Sequence, residues 1–562
     1  MDIIKFNLPI YYLKQKYTLN ENIKTDLELK DISLNDESIN LYDIIFNTKN
    51  RYSKINLDQW SEYYTDYKPF LKDSQKLYSD FNLKDEKKFD LNNFYDTWEN
   101  FINETNFHEK YQYIDVKYFY YLNNSAGFLE FLSIYNLLSP VLSFIFPIIM
   151  LFIPFFIIKM KGLEITIPKY IEYLKMVITH NALGNIFVNF GKSNINQRMT
   201  MIFTLMFYIF QLYQNFLSCY RFYRNINKIH NEIFLLRDYL DFTNKRIENY
   251  LSYSKKLKTY QPFNDILKKK QIELQVLYDK IICIKPYRWN YKKVCDIGYI
   301  MKCYYNLYND EECHNTIEYL NNFNGYLDNI SEIKNNIKLN NINKCTFTKK
   351  HTSFKDSYYI ALLNKNPVKN SYDLTKSIII TGPNAAGKTT ILKTSLFNVI
   401  LSQQIGFGLY KECKLNPYKY IHCYLNIPDT SGRDSLFQAE SRRCKEIINK
   451  INNEKDRHFC VFDELFSGTN PTEATSSAFA YLEYLTNFKN VDFILTTHYL
   501  QLCEKIKKND SVINCHMKIE KNNFTYILQK GISHVKGGIK ILADLNFPEE
   551  IIHRASSIIN TL

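Results

Sequence analysis

Glycine and proline are scarce, with 15 and 14 residues in a chain of 562. That scarcity excludes a collagen-like or linker-dominated protein. Metal-ligand spacing is missing as well: none of the twelve cysteines forms a C-x-x-C pair, so no zinc site is expected. Met1–Leu13 has no charged segment followed by an apolar run, and no signal peptide is expected there. Both features favour reduced, cytosol-facing thiols. What the chain has in quantity is apolar and aromatic: 46% of residues are hydrophobic and 16% aromatic, almost all of the latter Tyr or Phe. Disorder throughout is thereby excluded, and the length fits about three to four domains. The net charge of +13 suits nucleic acid or an anionic membrane surface and selects neither. The excess of Lys, Asn, Ile and Tyr over Ala and Gly reflects codon bias as much as function.

Residues 1–125 are polar, rich in Asn and Tyr and weakly periodic. They predict short amphipathic helices. The hydrophobic region 126–220 follows. Within it, 137–158 is a run of 22 residues without a charge, long enough at 1.5 Å per residue to cross a hydrocarbon core of about 30 Å. Pro140, Pro147 and Pro154 stand seven residues apart in it, on nearly one helical face; proline is better tolerated in membrane helices than in soluble ones. A second uncharged run, 201–220, lies between Arg198 and Arg221 and contains Gln211, Gln214 and Asn215. Two readings stand: buried core helices of a soluble domain, or a membrane hairpin with both long flanks on one side. Lysine and arginine do not choose the side, because the intervening stretch is basic too; cytosolic ATP does, given the nucleotide motifs below.

From 221 to 345 the pattern is helical, with Ile226, Ile229, Ile233, Leu236 and Leu240 at heptad spacing. It predicts a helical lever or stalk, ending at the Asn-rich stretch Asn335–Asn343. From 346 onward, short apolar runs alternate with helical ones. Ser377–Thr381, His458–Phe462 and Val491–Thr496 read as strands, each ending at a motif. That is the pattern of an α/β sheet, whose ligands sit beyond the carboxyl ends of the strands.

The first of those motifs is Gly382–Thr390, GPNAAGKTT. It fits G-x-x-x-x-G-K-[ST] between a strand and a helix, the context a phosphate-binding loop requires. Its residues Gly382, Pro383, Asn384, Ala385, Ala386, Gly387, Lys388, Thr389 and Thr390 are the expected ATP-binding set. Lys388 is placed to reach the β- and γ-phosphates, and Thr389 to ligate Mg²⁺. The second motif ends the run HFCVFDEL with two carboxylates. Asp463 suits Mg²⁺, and Glu464 suits orienting or deprotonating the attacking water. The third, ILTTHY, presents His498 just past a strand, in position to sense the γ-phosphate.

Together these motifs resemble the ATPase domain of the MutS family of DNA mismatch-repair proteins. IITGPNAAGKTT is similar to the family's ITGPNMGGKST, and SGRDSLFQAE (Ser431–Glu440) to SGRSTFMVE with one residue more. DELFSGT (Asp463–Thr469) is similar to DEIGRGT, Thr497-His498-Tyr499 to the family's THY, and NPVKNSYDL (Asn366–Leu374) to the segment before the first strand. Lys530–Ala555 follows the pattern of the family's C-terminal helix-turn-helix, expected at about 530–562. The resemblance covers about 210 residues in the family's order. A transporter ATPase would show LSGGQ before the acid pair, and this chain does not.

The resemblance implies an α/β P-loop NTPase domain of the ABC/MutS-like class over 346–562; the hydrophobic runs ahead of it imply a mainly α-helical region with a membrane hairpin. It implies an ATP hydrolase using ATP and Mg²⁺, with Glu464, His498 and Lys388 as catalytic residues. It also implies a composite site in a homodimer or heterodimer. Ser435 would reach the γ-phosphate bound by the other subunit, and Ser467–Asn470 would line the interface. Duplex DNA is the partner the family implies, and the membrane the partner the hydrophobic runs imply. Mismatch-repair members carry an N-terminal aromatic-x-Glu wedge. The nearest match is Phe94-Tyr95-Asp96, in which Asp replaces Glu, and it reads better as a core aromatic pair. Two functions follow as expectations: an ATP-dependent dimeric DNA clamp of the mismatch-repair type, or a membrane-anchored MutS-like ATPase without mismatch recognition. The first is soluble, cytoplasmic or nuclear. The second is membrane-associated with the ATPase domain facing the cytosol.

Overall fold

A computed structural model of the protein describes residues 4–29, 40–83, 89–160, 162, 166–180, 184, 186, 189–285, 296–425, 435–520, 523–533 and 547–559. The chain divides into two compact units, one of Met1–Lys87, Lys245–Gln271 and Glu318–Leu562, the other of Lys88–Asn244 and Ile272–Ile317. A helical N-terminal region precedes a mixed α/β C-terminal region.

In the first unit, short helices such as Arg51–Trp60 and Lys68–Asp80 precede the sheets. Asn50 starts the former with a reciprocal capping box, its side chain accepting from Ser53 N–H, which satisfies donors the first turn leaves free. Strands β1 (Tyr17–Thr18) and β2 (Tyr63–Tyr64) pair antiparallel. Next come β3 (Asn343–Phe347), β4 (Ser353–Ser357), β5 (Asn370–Asp373), β6 (Ser377–Thr381), β7 (Phe407–Gly408), β8 (Glu412–Leu415) and β9 (Tyr420–Tyr424). They are followed by β10 (His458–Asp463), β11 (Val491–Thr497), β12 (Val512–Glu520) and β13 (Asn523–Lys530).

The six-stranded sheet has the order β13-β12-β6-β11-β10-β9. β12, β6, β11, β10 and β9 run parallel, and β13 returns antiparallel on β12. A second sheet, β5-β4-β8-β3-β7, lies in the same unit. The three strands expected from sequence are thus adjacent, with Ile378 opposite Ile494 and Val461 opposite Ile494 from the other side. Every residue of β6 is buried, the apolar continuity expected of a strand covered on both faces.

The helix Lys388–Ile405 follows β6 and is buried for most of its length. Its polar residues are satisfied inside the unit. Gln403 Nε2 donates to Tyr418 O at 2.7 Å, Gln404 Nε2 to Trp60 O at 2.7 Å, and Asn398 Oδ1 accepts from Leu409 N at 2.7 Å. Buried amides held this way fix one orientation of the helix, because freeing any of them would leave an unpaired polar group.

In the second unit, aromatic side chains make the core. Phe94 stacks on Tyr239 with centroids 3.7 Å apart, and Phe107 on Tyr308 at 3.8 Å. Phe94 and Tyr95 are both buried, as the core reading of that pair predicts. Gly298 marks a close approach: a Cβ there would lie 2.1 Å from Ala126 O. The first hydrophobic run lies in the helix Ala126–Met160, which is continuous through all three prolines. The second lies in the 60-residue helix Ile195–Ser254, which also carries the heptad seam. Ile226, Ile229, Ile233, Leu236 and Leu240 are all buried. Among the described residues, one helix is long and apolar enough to cross a membrane by length and composition. Its stretch Ala126–Phe146 has mean hydropathy 1.6 and is 11% buried. The second run falls short of that measure. The C-terminal helix Glu549–Ile559 is present, whereas 534–546 and 560–562, the rest of the expected helix-turn-helix, lie outside the described residues.

Candidate functional site

β6 delivers the chain to the loop Gly382–Gly387, and the helix Lys388–Ile405 leaves it. The loop turns through positive φ at Ala385 (60°) and Gly387 (91°). Gly387 is constrained twice, since a Cβ there would also lie 3.1 Å from the Tyr526 ring. The turn aims the N-terminus of an 18-residue helix into the loop. Free N–H groups and the helix dipole make such an end an anion site.

Lys388 is 5% exposed. Its Nζ donates to Gly382 O at 2.9 Å and Pro383 O at 3.1 Å, and lies 3.4 Å from His498 Nε2. Burial pushes its ammonium below the usual lysine range, and the nearby Glu464 and Asp463 carboxylates oppose that shift.

The adjacent strands β10 and β11 bring the remaining groups together. Thr389 Oγ1 donates to Asp463 Oδ2 at 2.8 Å, and the other Asp463 oxygen accepts from the Thr496 hydroxyl. Thr389 and Asp463 therefore present neighbouring hard oxygens, the donor type Mg²⁺ takes. Glu464 Oε1 lies 2.6 Å from His498 Nε2. That hydrogen bond is the main reason the Glu464 carboxyl is held below the usual carboxylate range, with burial opposing it. Asp463, Glu464, Lys388, Thr389 and His498 thus form one cluster at the carboxyl ends of β6, β10 and β11.

Glu464 and Phe466 adopt positive φ of 51° and 61°, which costs a non-glycine residue of the order of 1–3 kcal/mol and persists only where neighbours impose it. Those neighbours are visible. Glu464 N donates to Thr496 O at 3.1 Å and Phe466 N to Tyr424 Oη at 3.3 Å. The buried carboxylate of Glu440 accepts from Ser467 N at 3.1 Å, Ser467 Oγ at 2.9 Å and Gly468 N at 3.2 Å. The sequence pattern passed over this strap. Its one signal was a carboxylate in an otherwise apolar register of the helix Leu436–Asn453.

Ser435 is exposed and caps that helix, accepting from Gln438 N at 3.3 Å while its own N–H donates to Gln438 Oε1 at 3.0 Å. Among the described residues, no hydrogen bond or ion pair links Ser435 to the Lys388 cluster. Residues 426–434, which include all four residues of SGRD, lie outside the described residues.

A cavity of about 400 Å³ adjoins the loop, lined by Tyr358, Val368, Asn370, Thr390, Ile391 and Tyr526 among others. Asn370 ties its walls together: its Nδ2 donates to Tyr526 O at 3.0 Å and its Oδ1 accepts from Leu528 N at 2.8 Å. Sequence reasoning did not assign this cavity, although it marked the segment Asn366–Leu374 that forms one wall.

Residues 378–562 match the family model described as MutS domain V. Among curated relatives, the chain is 31% identical over 186 residues to the DNA mismatch repair protein MutS of Persephonella marina, covering 32% of this chain and 21% of that one. It is 28% identical over 225 residues to the endonuclease MutS2 of Staphylococcus haemolyticus, covering 39% and 28%. With the endonuclease MutS2 of Agathobacter rectalis it shares 32% identity over 187 residues, covering 33% and 23%. The chain spans less than a third of the length of these relatives. The matches support membership of the MutS family, carried by the C-terminal domain.

Proposed function

We propose that the protein is a MutS-type ATP hydrolase whose nucleotide site is the cluster around Gly382–Thr390. The observation that carries this reading is the convergence of Lys388, Thr389, Asp463, Glu464 and His498 at the carboxyl ends of three adjacent strands. In this reading the loop N–H groups and Lys388 bind the phosphates of ATP. The 400 Å³ cavity beside Thr390 takes the nucleoside, with Tyr526 and Tyr358 offering ring faces. Thr389 and Asp463 hold Mg²⁺, which when bound neutralises phosphate charge. Glu464 orients the attacking water and accepts its proton, and His498 holds Glu464 in position and reports on the γ-phosphate. Ser435 acts across a dimer interface, together with Ser467–Asn470. The tail 530–562 grips the other subunit as a helix-turn-helix.

Duplex DNA is the proposed partner, because the curated relatives include a DNA mismatch repair protein. The test is ATP hydrolysis by the full chain alone, with matched duplex and with mismatched duplex, over a range of salt. A clamp predicts stimulation by DNA that falls with salt, as phosphate contacts release counterions. Greater stimulation by the mismatch supports the repair type. No DNA effect at any salt overturns the clamp.

A second reading is favoured by the exposed apolar surface of 126–220. A membrane-anchored MutS-like ATPase, without mismatch recognition and with its ATPase domain in the cytosol, would need that surface. A DNA clamp would not.

A further inference from the structure

The two hydrophobic helices meet along a seam of polar contacts and turn most of their rings outward, with Gln211 and Gln214 of the second helix also exposed. Tyr208 Oη donates to Ser143 O at 3.0 Å, Asn215 Nδ2 donates to Ser143 Oγ at 2.5 Å, and Cys219 Sγ donates to Leu137 O at 3.5 Å. As the partner number on the long helix rises from 208 to 219, that on the first falls from 143 to 137, so the pair is antiparallel. The outward residues include Phe144, Phe146, Phe152 and Phe156 on one helix, and Phe207 and Phe216 on the other, all at least 54% exposed. A water-soluble helix pair has the opposite arrangement, apolar seam inside and polar faces out. Gln211, Gln214 and Asn215 lower the mean hydropathy of the second helix, and of these Asn215 is spent on the seam.

We infer that Ala126–Met160 and Ile195–Tyr220 form a two-span hairpin whose partner is a phospholipid bilayer, with the helix ends at Met160 and Ile195 on the side opposite both flanks. This rests on the membrane-anchored reading and adds the polar seam that joins the two spans. Three observations choose lipid over a second protein. Outward rings cover both helices along their length rather than one stripe. The hydrophobic length, 22 residues in 137–158, matches a bilayer core of about 30 Å. The ends carry the residues that sit among headgroups. Exposed Tyr118, Tyr121, Tyr220 and Tyr223 mark the end at the flanks, and exposed Lys159 and Arg198 the end at the connector. Interhelical hydrogen bonds such as that of Asn215 are the usual glue where lipid gives no hydrophobic drive to pairing.

The test adds full-length protein from outside to preformed vesicles of phosphatidylcholine and phosphatidylglycerol, floats them, and labels with a membrane-impermeant maleimide. Ser193→Cys reports the connector, and the native exposed Cys283 is the control outside the hairpin. Cys283 should label at once and position 193 only after detergent. Phe207→Arg should lower the floated fraction at least tenfold, since an arginine near the centre of a span is costly to place in hydrocarbon; Tyr208→Phe, inside the seam, should not. Flotation with position 193 labelled as fast as Cys283 overturns the two-span topology and leaves a surface-lying anchor. Protein that stays soluble without detergent and does not float, with Phe207→Arg indistinguishable from wild type, overturns the membrane reading itself. A detergent-free oligomer that hides the rings from labelling would assign the surface to a second copy and overturn the lipid partner.

Discussion

Thr389 Oγ1 donates a hydrogen bond to Asp463 Oδ2 at 2.8 Å, joining two residues 74 apart in sequence. One lies in the first turn of the helix after the loop Gly382–Gly387, and the other ends β10. Two oxygens brought so close from separate elements suit one divalent cation. Replacing either should therefore act on the Mg²⁺ requirement first. Thr389→Val and Asp463→Asn should each raise the Mg²⁺ concentration for half-maximal hydrolysis by about tenfold or more, the range seen when groups ordering a metal are lost. Titrating Mg²⁺ at saturating ATP checks this.

Glu464 should separate binding from hydrolysis. Glu464→Gln keeps the shape and removes the base, so hydrolysis should fall by roughly 10²–10⁴-fold, while binding of a fluorescent ATP analogue changes little. The hydrogen bond from His498 holds the carboxyl low, so the ionised, active form persists to acid pH. Removing that bond in His498→Ala should move the acid limb of the pH–rate profile upward.

The strap at Glu440 is a positioning device for the acid pair. Glu440→Gln keeps the size but loses charge-assisted bonds to Ser467 and Gly468, each hydrogen bond to a charged group being worth about 1.5–3 kcal/mol. It should lower Tm and kcat together while KM for ATP moves little. Steady-state kinetics beside thermal melts check this.

Ser435 has a local role that must be separated from the proposed one across the dimer. Ser435→Ala should cost about 1 kcal/mol through the lost cap. Ser435→Asn keeps a capping side chain and should restore stability. If the serine also reaches the other subunit's nucleotide, both variants lose hydrolysis; stability and activity then part company in Ser435→Asn, which paired melts and ATPase assays detect.

Much of this site was legible because its parts are local. β6, β10 and β11 announce themselves as apolar β-branched or aromatic runs, and each ends at the residues that carry chemistry. The five-stranded sheet was not legible. β7 is two residues long, β3 buries one residue of five, and β8 alternates cleanly but over only four residues. The cavity wall was hidden for another reason: Asn370 meets Leu528 across 158 residues, a contact no short window contains. The hydrophobic helices show a third limit. Composition gave their length and charge, but the seam of Ser143, Tyr208 and Asn215 depends on how two helices face each other.

A buried histidine pair on β9 and β10 links stability to pH. His422 Nε2 lies 3.0 Å from His458 Nδ1, and His458 Nε2 faces Glu454 O at 3.2 Å. Burial pushes His422 down to about 3, helped by His458, Arg443 and Lys450; burial lowers His458 as well. Histidine in the unfolded chain protonates near pH 6.5. Below that value the unfolded state binds protons the folded state refuses, so stability falls from about pH 6.5 toward 3. His422→Leu should flatten that decline, as thermal melts between pH 4 and 8 would record.

The most direct test of the central claim is Mg²⁺-dependent ATP hydrolysis by the full-length protein, measured beside Lys388→Ala purified in the same way. Lys388 is the cation that the fold buries against the loop carbonyls, so its loss should reduce turnover by at least about 10²-fold, the cost of removing a group aimed at transition-state charge, with the far-ultraviolet spectrum unchanged. Turnover that survives Lys388→Ala, or a folded wild-type protein that hydrolyses no ATP under any condition tried, would contradict the account.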